Sequence, residues 1–504
     1  MPSVTYSSTR GGQTNLAFRD VVMQGLAHDR GLFVPDRLPT VSTTELESWR
    51  SLSYAELAVN VIAKFVGDDQ VPLPNLRDIV TRSCAAFRDA QVTPLVHVGG
   101  HYVLELFHGP TFAFKDVALQ MLGNFFEYFL STGSNGGRLA VLGATSGDTG
   151  SAAIAGLRGK KGITCVILFP NGRVSAIQER QMTTVPDENV HCVAIDGTFD
   201  DCQDIVKASF NTPAFRDKVH LGAVNSINWC RVLAQTTYYY WSYLRVTDAH
   251  KDIPEVHFSV PTGNFGDVLA GYYAKQMGLP VGKLIVATNE NDILHRFFTA
   301  GEYHRESIAE TISPSMDICV SSNFERYLFH LAGNDASMLS AWMQAFEKTG
   351  QLTIQGDLLR QAQADFDSCR GDTSQTLATI ETYHQKHQYV LCPHSAVGVY
   401  AIHQLSLVSS ATVCLATAHE AKFPAAVAQV VEPMPPPPTE LAVLRDLPTR
   451  RVELPNDLAT VQAFVEECVF SRPRKWQAVA KHLAAVTVAV GVAAVALQAM
   501  TRRR

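Results

Sequence analysis

The sequence predicts an α/β protein with mainly parallel sheets, preceded by a mainly helical N-terminal unit. Three observations carry that prediction. Between about residues 101 and 430, short apolar runs alternate with longer segments of helical periodicity, as repeated βα units require. Two strand exits, near 141–150 and 260–267, pass through glycines and hydroxyls directly into a helix. Residues 1 to about 100 instead place helical-period segments around turn signals.

In the N-terminal unit, apolar spacing predicts helices over Ser53 to Phe65 and Leu76 to Phe87, separated by a turn at Gly67-Asp68-Asp69. Ser8 to Gly12 and Gly31 to Pro35 read as loops, the second with an exposed aromatic, Phe33. Strands are expected at Tyr102 to Phe107, Arg138 to Leu142, Thr164 to Phe169, Val190 to Ile195 and Val256 to Val260. Leu284 to Thr288, Tyr389 to Leu391 and Thr412 to Leu415 complete the set. A parallel sheet places ligands at the carboxyl ends of its strands, so the strand exits are where chemistry is sought.

The first such exit is His108-Gly109-Pro110-Thr111-Phe112-Ala113-Phe114-Lys115-Asp116, which opens a helical segment from Val117 to Leu130. A lysine held between Phe114 and an apolar helix face loses solvation when charged. Its pKa falls, and the free amine can attack a carbonyl to form an imine. Taken alone, Lys115 reads more readily as a surface lysine with a buried stem.

Two further exits change that balance. Gly143-Ala144-Thr145-Ser146-Gly147-Asp148-Thr149-Gly150 and Pro261-Thr262-Gly263-Asn264-Phe265-Gly266-Asp267 each lead from a strand into a helix. Glycines let backbone N–H groups converge and a helix N-terminus adds positive potential, so each turn can hold an anion, for instance a phosphate and a carboxylate. The steric alternative is a tight βα connection that needs glycine only for its geometry. Neither turn is a Walker A loop or a G-x-G-x-x-G fingerprint. At a later exit, Thr417 could bond a ligand or cap backbone, and His419 could be a base or a hydrogen-bonded structural residue. Pro433 to Pro438 follows as a stiff connector.

Bulk properties narrow the function classes. The 504 residues suffice for about two or three domains, and a formal charge of −6 without a basic stripe argues against nucleic-acid binding. Ten cysteines, scattered from Cys84 to Cys468 without a C-x-x-C pair, fit reduced thiols better than a disulfide framework or a metal site. The N-terminus shows neither a secretory signal nor an Arg-rich presequence, so the expected location is cytoplasmic. At the other end, the uncharged run Leu483 to Met500 spans about 27 Å as a helix. It is a candidate tail anchor and the one expected membrane contact; the alternative is a helix packed on the body.

Together, Lys115 and these turns resemble the threonine synthases of the longer, yeast and enterobacterial type. These belong to the fold type II (tryptophan synthase β-like) pyridoxal-phosphate enzymes. The resemblance runs from Tyr6-Ser7-Ser8-Thr9-Arg10-Gly11 to about Cys468. It includes Pro170-Asn171-Gly172-Arg173-Val174-Ser175 with Gln178 and Gln181, and Asn225-Ser226-Ile227-Asn228-Trp229 with Arg231. It implies two mainly parallel-sheet lobes and a division into an N-terminal unit at 1–100, a catalytic region at 101–470 and a C-terminal extension at 471–504.

For the site, the resemblance implies that Lys115 carries pyridoxal 5′-phosphate as a Schiff base. Gly263, Asn264, Phe265 and Asp267 would lie in the cofactor-phosphate turn, and Thr417 would bond the pyridine nitrogen. By analogy with other fold type II enzymes, Thr145, Ser146, Gly147, Asp148 and Thr149 would hold the substrate carboxylate. Arg173, Arg231 and Lys275 are candidate cations for the substrate phosphate, in that order, each with a structural ion pair as the alternative. The implied reaction converts O-phospho-L-homoserine and water to L-threonine and phosphate, with no metal. Two rivals share the fold: a relative that releases a 2-oxo acid and ammonia, and a non-catalytic membrane-tethered member. A scaffold has no need of Lys115 and both anion turns.

Overall fold

The computed structural model describes residues 4–133 and 137–470. Its strands are β1 Tyr6–Ser8, β2 Phe33–Pro35, β3 Leu95–Val98, β4 His101–Glu105, β5 Leu139–Ala144, β6 Ile163–Pro170, β7 Val190–Asp196 and β8 Leu221–Gly222. They continue with β9 Val256–Pro261, β10 Val281–Thr288, β11 Glu302–His304, β12 Gln351–Thr353, β13 Asp367–Arg370, β14 Thr412–Ala416 and β15 Val452–Pro455.

Two sheets dominate. One has six strands in the order β13-β10-β9-β14-β4-β3, parallel except at the β3–β4 edge. The other has five parallel strands in the order β15-β7-β6-β5-β8. Each sheet takes strands from both sides of the other in the chain, so the lobes interleave. The central strands are buried on both faces, as in Val413, Cys414 and Leu415 of β14, because helices cover each side.

The first of the two expected N-terminal helices forms where the spacing places it, and the second begins and ends three residues earlier than expected. Tyr54–Ala63 starts on a capping box in which the Ser53 hydroxyl accepts from the Glu56 N–H and the Glu56 carboxylate accepts from the Ser53 N–H. Leu73–Cys84 follows, burying Leu76, Ile79 and Val80. The two expected loops differ: parts of each pair as the antiparallel strands β1 and β2, with Tyr6 opposite Pro35. Phe33 is fully buried there, because its strand lies against the core rather than in solvent.

Tyr389 to Leu391 is not a strand. β14 already has β9 and β4 as neighbours, so no slot remains beside it. The segment instead links the helices Thr373–His387 and Pro393–Gln404, with Leu391 buried and the Tyr389 hydroxyl donating to Glu105 at 2.8 Å. β3, β13 and β15 carry no strand prediction, being four residues each and half polar or edge-placed.

All ten cysteines are free thiols, seven of them buried. No helix among the described residues is long and apolar enough to cross a membrane. The candidate anchor at 483–500 lies outside the described residues.

A histidine cluster around His101 of β4 gives the fold an acid limb. His101 is fully buried beside Tyr383 and His403, with His97 and His387 nearby, and burial pulls it down to about 4 from 6.5. The folded state therefore binds fewer protons than the unfolded one between those values. Stability from this residue is intact above pH 6.5 and lost as pH falls toward 4, by up to about 3 kcal/mol. His101→Gln should show a flatter decline in urea midpoint from pH 7 to pH 4 than the parent; parallel declines would rule out His101 as the cause.

Candidate active site

The exits of β4, β5, β9 and β14 converge at the carboxyl ends of the two sheets. After β4 the chain turns through Phe112, at φ +59°, and enters the helix Lys115–Thr132. Lys115 is thus the first helical residue, with an 11% exposed side chain and Nζ 4.9 Å from the Phe114 ring centre. Burial lowers its pKa, Asp148 opposes that, and Lys422 and Arg231 lower it further. The amine is poised toward its neutral form.

The β5 exit supplies Asp148, whose Oδ2 lies 3.6 Å from Lys115 Nζ. Thr145 Oγ1 accepts from the N–H groups of Gly147 and Gly150, which fixes the turn. Among the described residues, the N–H groups of Ser146, Asp148 and Thr149 engage no acceptor in the protein. Gly147 sits at φ +146°, and a side chain there would overlap the Gln178 amide that donates to Asp148 at 2.9 Å. Glycine is needed here for conformation and for space.

The β9 exit is the second cradle. Phe265 takes a left-handed conformation ahead of the helix Gly266–Gln276. None of the N–H groups from Gly263 to Asp267 donates to an acceptor among the described residues. Ser321 Oγ donates to the Gly263 carbonyl, Ser322 Oγ to Asn264 Oδ1 and Asn323 Nδ2 to the Asn264 carbonyl, at 2.7, 3.1 and 3.0 Å. The turn is therefore held open with its donors unspent.

Among the expected site residues, the structure brings Lys115, Asp148 and Arg231 close together. Arg231 is buried; its Nη1 donates to the Val224 carbonyl at 3.1 Å, its Nε has no partner among the described residues, and burial pulls it down to about 10. Thr417 closes the β14 exit: its carbonyl accepts from the Phe114 N–H at 2.8 Å and its N–H donates to Ser395 Oγ at 3.2 Å. Asp267 is in place along the chain, but its carboxyl turns into the helix Trp229–Ala249. There it accepts from Tyr238 and Tyr239, and burial pushes it up to about 7.

Other expectations fall outside the cradle. Lys275 lies about 13 Å along its helix from Gly266, and its Nζ donates to the Gly282 carbonyl at 2.8 Å. Arg173 is exposed in the loop after β6. His419 caps a short 3-10 turn by accepting from the Ala421 N–H at 3.2 Å, packs edge-on against Phe107 and Phe112, and is pulled down to about 4 by burial. It is a structural histidine.

Three residues of the site carried no sequence signal of their own. Lys422 Nζ lies 2.6 Å from Asp148 Oδ1, and Ser315 Oγ donates to Asp148 Oδ2 at 3.0 Å. His394 accepts from the Ser315 N–H at 3.1 Å, and burial holds it down at about 3, hence neutral. Lys422 stands in the same 416–423 stretch as Thr417, between Ala421 and Phe423, the kind of apolar setting that singled out Lys115.

The chain matches three family models: threonine synthase N terminus over residues 5–84, pyridoxal-phosphate dependent enzyme over 90–341, and threonine synthase, C-terminal, over 395–465. It is 49% identical over 457 residues to the threonine synthase of Schizosaccharomyces pombe, covering 84% of this chain and 88% of that one. It is 45% identical to that of Pseudomonas aeruginosa, covering 92% and 98%. The crystal structure of PLP-bound threonine synthase from Brucella melitensis superposes with a TM-score of 0.89 at 43% identity, over 93% of this chain and 100% of that one.

Proposed function

Because the chain belongs to the threonine synthase family, and is therefore a pyridoxal 5′-phosphate-dependent lyase that makes L-threonine, we propose how its own residues divide the work. The observation that carries the reading is a desolvated lysine 3.6 Å from Asp148, between two turns with unspent N–H donors.

The residues fit the cofactor. The Gly263–Asp267 turn offers N–H groups without acceptors, and Ser321 to Asn323 hold it in shape for a phosphate. Lys115 offers an amine that burial favours as a nucleophile. When bound, pyridoxal phosphate supplies an electron sink for charge developing at the substrate Cα. Thr417, at the β14 exit, would meet its ring nitrogen with a neutral hydroxyl. The Asp267 carboxyl, turned onto two tyrosines, leaves the phosphate cradle free of negative charge.

Lys115 Nζ takes the Cα proton of O-phospho-L-homoserine and then acts one carbon further on, since its amine is mobile and adjacent to both. Asp148 orients that amine. The N–H groups of Ser146, Asp148 and Thr149, with Thr145 shaping the turn and Gly147 giving it room, bind the substrate carboxylate. Arg231 is the cation best placed for an anion, since its Nε is buried without a partner among the described residues. Arg173 stands on the exposed loop after β6, outside the cradle, and would reach the substrate phosphate only from that loop.

The division into 1–100, 101–470 and 471–504 is part of this proposal, with the strand β3, at Leu95–Val98 inside the first unit, forming the edge of the catalytic sheet. Supplying O-phospho-L-homoserine and quantifying phosphate, threonine and 2-oxobutyrate tests the reaction. Threonine equal to phosphate is the expected result; 2-oxobutyrate in its place would show that water does not add before release.

A further inference from the structure

One lysine fastens three strand exits together. Lys422 has a 0% exposed side chain, and its Nζ reaches Asp148 Oδ1 at 2.6 Å and the Thr111 carbonyl at 2.8 Å. Thr111 in turn donates to Asp116 through its N–H and its hydroxyl, at 2.7 and 2.8 Å. The exits of β4 and β14 on one sheet are thereby joined to the β5 exit on the other.

The two lysines on Asp148 are not equivalent. Lys422 makes a hydrogen-bonded ion pair, whereas Lys115 stands 3.6 Å from the other oxygen, which already accepts from Ser315. A buried carboxylate beside a single lysine would keep that lysine protonated, because each charge is the other's only compensation. With Lys422 present, the carboxylate charge is matched before Lys115 is counted. Burial would raise Asp148, yet Lys422 and then Lys115 hold it well below the usual carboxylate range. The other groups facing this pair are Arg231, which disfavours a charged Lys115, the neutral His394, and Asp116, which burial pushes up to about 6.

We propose that Lys422 is a positioning residue of the reaction: its buried ammonium neutralises Asp148, so that Asp148 orients Lys115 without fixing a proton on it. This rests on the reading of Lys115 as the reacting lysine and deepens it. A second role in joining the lobes would follow from the same contacts, but a joint alone does not set the protonation of a neighbour.

The test is the pH titration of the visible absorbance of the cofactor-loaded protein, with the pH profile of kcat/KM beside it. In Lys422→Met the full charge of Asp148 falls on Lys115, so the midpoint rises, by about tenfold in proton affinity, and the acid limb of kcat/KM moves the same way. Lys422→Arg keeps the parent midpoint. Asp148→Asn removes the anion and leaves Lys422 and Arg231 facing Lys115, so the midpoint falls. An unmoved midpoint in folded, loaded Lys422→Met overturns the proposal. If that variant does not fold, an unmoved or raised midpoint in Asp148→Asn overturns it equally. The titration needs no substrate, so it can fail while threonine is still formed, and the reverse.

Discussion

Lys115→Ala is expected to lower threonine formation about 10,000-fold and to erase the visible absorbance of the cofactor-loaded protein. Both effects come from one nitrogen. The amine lies at a helix start among Phe114, Asp148 and two free-donor turns, and proton transfers along the substrate carbons need a mobile base there. Loss of the base removes the general-acid–base factor, and loss of the amine removes the covalent attachment. A borohydride-reducible adduct surviving in the variant would place the attachment elsewhere. Lys422, the other lysine on Asp148, would then be the one to map by peptide sequencing.

Lys115 was legible because its local text is complete: a strand, a turn with Gly109 and Pro110, and an apolar helix all lie between Tyr102 and Leu130. The two anion turns were legible for the same reason. What escaped was set by contacts between distant segments. Ser315 meets Asp148 across 167 positions and Lys422 meets Thr111 across 311, and no local pattern encodes such pairings. Asp267 shows the converse: its place in the turn was readable, but its carboxyl direction depends on Tyr238 and Tyr239 of another helix. Tyr389 to Leu391 had the apolar content of a strand, and sheet order decided against it, because both sides of β14 were taken.

Gly123→Ala should both destabilise the fold and disturb the site, although Gly123 lies mid-helix, outside both anion turns. It lies eight residues into the helix that begins at Lys115, and Gly156 lies eight residues into the helix that begins at Asp148. These helices cross at the two glycines. A methyl on Gly123 would overlap the Gly156 carbonyl, and one on Gly156 would overlap the Leu119 carbonyl. Both obstacles are backbone, which cannot rotate aside. Alanine in a helix interior gains about 0.5–1 kcal/mol over glycine, whereas overpacking of this kind costs about 3 kcal/mol, so the overlap wins and the urea midpoint falls. The helices part at a point about 12 Å from their N-termini, and the 3.6 Å approach of Lys115 to Asp148 opens with them. A misplacement near 1 Å at that pair costs about 100-fold in kcat/KM. A midpoint that falls with activity intact would show that the helices bend at the crossing and keep their ends in register, and it would separate the scaffold of this site from its chemistry.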